Sequence, residues 1–212
     1  LNQTNKNFIH WISFRPEEKY HQLTKELEDH LKSINYPYIF TFGGLCFWDD
    51  KYFNDNLLER LKATLPELKD TVGDNDYVLK TIVPSDDMYL KDAVELIQQQ
   101  DYQNNEALTF HNGYVMKAST GEVAYWNPPP VNTPPFYTLI FPKDVFLDPQ
   151  KHFSFVEKLK SHEKITQFEH EEVEGRHYCV LVHNMNISTA WNNRNKGRGK
   201  INKEEIIKNL GL

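Results

Sequence analysis

VLKTIVPSDDMYLKDAVELI, residues 78–97, is the stretch on which the reading of this chain turns. An apolar, β-branched run stops at Pro84, the adjacent carboxylates Asp86 and Asp87 follow, and apolar residues then recur at steps of three and four. YVLKTIV (77–83) has the composition of a buried central strand. MYLKDAVELIQQQ (88–100) puts Leu90, Ala93, Val94 and Ile97 on one helical face, with Ser85 or Asp86 placed to cap it. The expectation is therefore a strand end, two acids and a helix start. In open α/β sheets ligands gather outside the carboxyl ends of strands, where helix N-termini offer unsatisfied N–H groups. Two carboxylates at such a place suit a divalent cation, which in turn neutralises a diphosphate. The plainer reading makes Asp86 a helix cap and Asp87 a first-turn acid favoured by the helix dipole.

Upstream, FIHWISF (8–14) reads as a strand and PEEKYHQLTKELEDHLKSI (16–34) as a helix. Pro16 falls in that helix's first turn, and Tyr20, Leu23, Leu27 and Leu31 form its apolar stripe. YPYIFTF (36–42) reads as the next strand, turned by Gly43 and Gly44. NDNLLERLKATLPELKD (54–70) has helical spacing behind Asn54 or Asp55 as N-cap. Strand and helix alternate over the first hundred residues, which predicts an α/β domain with a mostly parallel sheet flanked by helices.

The second half changes character. ALTFHNGYVMKASTGEVAYW (107–126) predicts an antiparallel hairpin or small meander, with turns at Asn112-Gly113 and Thr120-Gly121 and Gly113 supplying a positive φ. Five prolines between 128 and 135 make NPPPVNTPPFYTLIFP a shaped loop leading to a strand. KITQFEH (164–170) and HYCVLVHN (177–184) read as a strand pair around Glu174-Gly175. A basic loop, NNRNKGRGK (192–200), precedes a short helix, KEEIIKNL (203–210).

The 212 residues, 39% apolar and 13% aromatic, suffice for one domain, and residues 1–212 are read as a single unit. A net charge of −6 argues against binding nucleic acid over the whole surface. Cys46 and Cys179 are too few for a disulfide framework or a structural zinc site, which with the lack of a signal peptide or a run near the ~20 apolar residues of a membrane span points to the cytoplasm.

Five segments, in order, resemble a known family. LNQTNKNFIHWISF is similar to the second-strand region of the rhamnosyltransferase family of GT-A-type glycosyltransferases, and VPSDDMYLKDAVELI to its strand end LDNDDA and the helix behind it. LTFHNGYVMKASTGEVAYW resembles the family's NGY…TG hairpin, NTPPFYTLI its NPF…SLI segment, and VLVHNMNIST its VIHG…N…S segment. The resemblance implies a GT-A-like fold and transfer of a sugar from a nucleotide-sugar donor to an acceptor, which is left open between saccharide, protein and nucleic acid. It also implies that the acid cluster corresponds to the Asp-x-Asp motif holding the donor diphosphate with Mn²⁺ or Mg²⁺. Pro84 stands where the family has the first acid, so the motif is incomplete. The family pattern begins with a further strand and helix ahead of NQTNKNF, so the chain is expected to lack that first element pair.

Metal ligation then falls to Asp86, Asp87 and His183, whose imidazole suits a cation or a phosphate. The plainer reading of His183 is a strand-end histidine bonded to backbone. Ser85, Asp86, Asp87, Asn184, Asn186 and Ser188 are the candidate donor contacts. Arg194, Lys196 and Arg198, with Lys200, could close over a diphosphate because guanidinium groups match phosphate oxygens, or could form a solvated loop or meet a nucleic-acid acceptor. Trp126, Phe136 and Tyr137 could stack on a sugar or base, or simply pack. A catalytic base stays unassigned among Glu122, Asp87 and Asp144. A non-catalytic GT-A-like binding or assembly protein that has lost the full metal motif is the alternative, motivated by Pro84.

Overall fold

The computed structural model describes residues 3–45, 56–83, 87–128, 136–159, 162–183 and 201–211. The chain is α/β, with sheets of parallel and antiparallel strands flanked by helices. It forms two compact units, one of Leu1–Lys6, Lys80–Leu139 and Phe168–Leu212, the other of Asn7–Leu79 and Ile140–Gln167.

In the second unit, β1 (His10–Ser13) and β2 (Tyr38–Thr41) pair in parallel, His10 opposite Tyr38 and Ser13 opposite Thr41. The expected first helix divides. Pro16–Glu18 make a 3-10 turn, and α1 (Gln22–Ser33) begins only after His21, whose Nδ1 accepts the Leu23 N–H at 3.2 Å. Helix α2 (Leu57–Val72) follows Asn56 and carries Pro66 internally; Asn54 and Asp55, the expected caps, lie outside the described residues. Gly43 and Gly44 have separate reasons. Gly44 takes φ +73°, whereas a Cβ on Gly43 would lie 1.9 Å from Thr64 Oγ1, so only glycine lets the strand end meet α2.

Two helices of this unit were not anticipated: α4 (Lys143–Leu147) and α5 (Pro149–Val156). The second starts with a local signal in Asp148-Pro149. The Asp148 carboxylate accepts the N–H groups of Gln150 at 2.9 Å and Lys151 at 3.0 Å, and Pro149 fills the first helical turn. Leu57, Leu61 and Leu65 of α2 are fully buried, as are Phe141, Val156 and Ile165.

In the first unit, β4 (Met88–Tyr89), β10 (Tyr178–Val182), β6 (Gly113–Lys117) and β7 (Glu122–Trp126) form one sheet in the order β4-β10-β6-β7. A further sheet, not confined to the first unit, has the order β3-β8-β5-β9, from β3 (Tyr77–Thr81), β5 (Ala107–Thr109), β8 (Tyr137–Pro142) and β9 (His170–Glu172). The mostly parallel sheet expected from strand–helix alternation is thus corrected to mixed sheets. β1–β2, β10–β6 and β5–β9 are parallel, while β10–β4, β6–β7 and β5–β8 are antiparallel. The reason is that the late strands β8 and β10 insert among the early ones, a long-range pairing that local alternation does not encode.

The helix expected from Met88 onward starts later, as α3 (Ala93–Gln98). Met88 and Tyr89 are instead paired with Cys179 and Tyr178, and the Tyr89 hydroxyl donates to the Ile82 carbonyl at 3.1 Å. Pairing to β10 overrides a local helical pattern here. The hairpin at Thr120-Gly121 forms as expected, with Gly121 at φ +62°. Asn112-Gly113 does not make a hairpin, since β5 and β6 lie in different sheets. Gly113 is required for another reason: a Cβ there would lie 2.4 Å from the Tyr178 ring. The expected pair KITQFEH and HYCVLVHN also separates. His162–Gln167 form a 3-10 segment, β9 pairs with β5, and β10 pairs with β4 and β6. The final helix, α6 (Lys203–Leu210), forms where the sequence predicts it, capped by Asn202.

Candidate functional site

The first unit brings Asp87 and His183 to one end of β10, although 94 residues separate Asp87 from its partner there. Asp87 Oδ1 accepts the backbone N–H of Leu181 at 2.9 Å, and His183 follows β10 directly after Val182. Two observations fix this end. The β4–β10 ladder runs Tyr178↔Tyr89 and Cys179↔Met88, so Asp87 is the residue directly before β4, alongside the continuing β10. On the other side β10 runs parallel to β6 as far as Val182↔Lys117, and the Val182 carbonyl accepts the Ala118 N–H at 2.9 Å. Lys117 faces Glu122 across the hairpin, placing one cation and one anion at the same end of the sheet.

A closely packed base supports these groups. Leu90, Met116, Cys179, Ile206 and Leu210 form a buried cluster, with Met88, Tyr114, Val123, Leu181 and Ile201 packed against it. α6 therefore seals one sheet face through Ile206 and Leu210. Aromatic rings gather around Tyr178, which stacks on Phe136 with centroids 3.8 Å apart and donates its hydroxyl to the His111 carbonyl at 2.9 Å. Tyr89 meets Phe110 and Phe136 edge-on at 5.5 and 5.4 Å. Burial dominates the electrostatics. It pushes the Cys179 thiol up to about 12, with the Asp87 charge adding in the same direction. Burial likewise raises the Tyr178 and Tyr89 hydroxyls above the usual phenolic range, and Asp87 again contributes to each.

Of the sequence-derived candidates, Asp87 bonds the β10 backbone at Leu181, and His183 follows two residues later in the chain. Ser85, Asp86, Asn184, Asn186, Ser188, Arg194, Lys196, Arg198 and Lys200 lie outside the described residues. The helix N-terminus expected beside the acids lies further along the chain, because α3 opens at Ala93. Trp126, Phe136 and Tyr137 are buried, so their rings are committed to packing and do not offer a stacking face. Asp144 sits in the second unit, ion-paired with Lys151 at 2.7 Å; the hydrogen bond to that ammonium holds its carboxyl below the usual range. Glu122 is exposed at the start of β7.

Two positions missed in the sequence hold the site's surroundings in register. Arg176 donates to the carbonyls of Gly113 at 2.9 Å and Trp126 at 3.1 Å and to the Asn127 side chain, with its guanidinium 4.7 Å over the Tyr125 ring. It fastens the ends of β6 and β7 to the start of β10. His177 bridges the Glu174 carbonyl at 2.8 Å and the Asp92 carboxylate at 3.3 Å. Nothing in the local pattern EGRHY marks either role; only the preceding Gly175, at φ +103°, signals a tight approach.

A carboxylate oxygen and an imidazole nitrogen are each donors of a kind that Mn²⁺ or a similar first-row cation accepts. Among the described residues no group of three or more His, Cys, Asp and Glu side chains could hold a metal ion, and no helix is long and apolar enough to cross a membrane. Comparison with family models, with curated proteins and with solved structures finds no match.

Proposed function

We propose that this chain is a GT-A-like glycosyltransferase that moves a sugar from a nucleotide-sugar donor to an acceptor. One observation carries this reading. Asp87 and His183 come from the two segments that resemble the family's acid motif and its late histidine segment, and both meet the end of β10. In this reading Asp86, Asp87 and His183 hold a divalent cation against the donor diphosphate, with Ser85, Asn184, Asn186 and Ser188 as polar contacts and Arg194, Lys196 and Arg198 as cationic ones. The cation would neutralise charge building on the leaving diphosphate, the part of sugar transfer that most needs electrostatic help. At the described residues, the Asp87 carboxylate is tied to the β10 backbone by the Leu181 N–H, two residues before His183.

Thermal shift with UDP-, dTDP- and GDP-sugars, each with Mn²⁺ or with EDTA, tests the reading on the wild type and on Asp86→Ala and His183→Ala. Stabilisation by one nucleotide class with Mn²⁺, lost in EDTA and in both variants, is the expected result, since a ligand bound only to the folded state raises its stability. No shift with any nucleotide at millimolar concentration would sink the transferase and favour a non-catalytic GT-A-like binding or assembly protein.

A further inference from the structure

Residues 3–5 lie along α3 and supply what that helix lacks. We propose, independently of sugar transfer, that Gln3, Thr4 and Asn5 form a releasable strap. Docked, the strap caps α3 and ties it down; withdrawn, it lets α3 open locally while the sheet beneath stays closed.

On its own α3 is weak. Its six residues fall well short of the roughly 12–15 at which an isolated helix becomes even marginally stable. Asp92, in the N-cap place, makes no capping bond. Its backbone is helical, at φ −92° and ψ −7°, and its carboxylate lies 3.3 Å from His177 Nδ1. The first-turn N–H groups therefore need an acceptor from elsewhere. Gln3 provides one: its Oε1 accepts the Val94 N–H at 3.1 Å, while its Nε2 donates to the Leu90 carbonyl at 2.9 Å. The Thr4 N–H donates to the Lys91 carbonyl at 2.7 Å, and the Thr4 hydroxyl donates to the Glu95 carboxylate at 2.9 Å. Asn5 Nδ2 donates to the Gln98 side chain at 2.8 Å, at the last residue of α3. The strap thus runs the length of the helix.

The strap and the helix face are held by different means. Gln3, Thr4, Asn5 and Lys6 are polar and half-buried or exposed, whereas Leu90, Ala93 and Ile97 are buried. Hydrogen bonds within reach of water are each worth little net, because water replaces the partner that leaves. Release therefore removes the cap of α3 and leaves its apolar seat. Leu90 and Lys91 carry the effect onward. Their carbonyls are held by the strap, while the Leu90 N–H donates to the His177 carbonyl at 2.7 Å and the Lys91 N–H to the Asn209 carbonyl at 3.0 Å. Withdrawal of the strap is thereby felt at His177, the residue just ahead of β10.

Amide exchange and Cα chemical shifts in the labelled full chain test the strap. In the wild type, Val94 is expected to exchange by local opening, almost independently of urea, and Val180 of β10 by global unfolding with a steep urea dependence. Two variants loosen the strap: Gln3→Ala removes the acceptor, and Thr4→Asp sets a carboxylate against that of Glu95. Each is expected to lower Val94 protection by about tenfold or more, to move the Cα shifts of Ala93 and Leu96 toward random-coil values and to move the His177 amide resonance. The Cα shifts of Val115 and Val180 are expected to stay in place. Thr4→Ser, which keeps the hydroxyl, is expected to resemble the wild type. Unchanged Val94 protection and α3 shifts in both loosening variants would overturn the strap, and so would a Thr4→Ser that opens α3 as far as Thr4→Asp. If neither loosening variant folds, the wild type still decides: a urea dependence at Val94 as steep as that at Val180 means that α3 opens only with the whole unit and refutes the proposal.

Discussion

Helices α1 and α2 carry the same kind of apolar spacing and end in opposite surroundings. In α1, Leu23, Leu27 and Leu31 recur every four residues, and in α2 so do Leu57, Leu61 and Leu65. Yet Leu23 is 66% exposed and Leu27 36%, with Tyr20 just before the helix at 90%, whereas the three leucines of α2 are at 0%. Periodicity fixes which side chains share a face, and the neighbours that reach that face fix whether it is buried. α2 has such neighbours in β2, α4 and α5, and its backbone approaches Gly43 so closely that Thr64 occupies the space of a Cβ.

The sharpest way to break this contrast is to truncate matched leucines. Leu61→Ala is expected to cost about 3 kcal/mol, because transfer and cavity terms add at a site with no exposed surface. Urea unfolding followed by circular dichroism measures it, and a cost below about 1 kcal/mol would mean that α2 is not the packed element of the pair. Gly43→Ala probes the same packing from the strand side. Its Cβ would lie 2.8 Å from the Thr64 backbone nitrogen, an atom that cannot rotate away, so α2 must shift as a body. An overpacking cost of about 2 kcal/mol is expected in the same assay.

How much of this was legible beforehand depends on the range of the interaction concerned. The presence of helices α1, α2 and α6 and of the β6–β7 hairpin follows from spacing and the Thr120-Gly121 turn, signals within a few residues. The Asp148-Pro149 start of α5 was equally local and simply went unread. Met88 and Tyr89 could not be assigned from their own neighbourhood, because the pattern around them is helical and only Tyr178 and Cys179 make them a strand. The site divides in the same way. The sequence reading put Asp87 at the carboxyl end of the 77–83 strand, but β3 ends at Thr81 and Asp87 instead precedes β4; its partner is the backbone of Leu181, and a backbone N–H leaves no trace in residue type. Gly113 gives the same lesson: its identity announced a constraint, and the sequence suggested a turn where the structure has the Tyr178 ring.

Cys179 extends the comparison between buried and exposed groups to pH. Its thiol is raised by burial from 9.0 to about 12 in the folded chain. The folded state thus holds a proton that the unfolded state gives up above pH 9. The thiol's contribution is fully present below that pH and is lost as pH rises toward 12. The Tyr89 and Tyr178 hydroxyls, raised in the same direction, add to the loss at higher pH. Between pH 9 and 11 the wild type is expected to lose stability more steeply than Cys179→Val, by up to about 1.4 kcal/mol per pH unit. Equal slopes in urea titrations at pH 8, 9, 10 and 11 would show that the thiol is not held neutral.

The smallest effect belongs to the exposed helix. Leu23→Ala removes a side chain that is already two-thirds in water, so neither a cavity nor a large transfer term arises, and the helix propensity of alanine is slightly the better. Unfolding is expected to change by no more than about 0.5 kcal/mol. Leu31→Ala in the same helix, at 8% exposure, should cost clearly more, because that residue is where the α1 stripe reaches the interior. If Leu23→Ala instead matched Leu61→Ala, the α1 face would be covered in solution, and concentration dependence of the unfolding midpoint would separate a second copy of the chain from a partner within it.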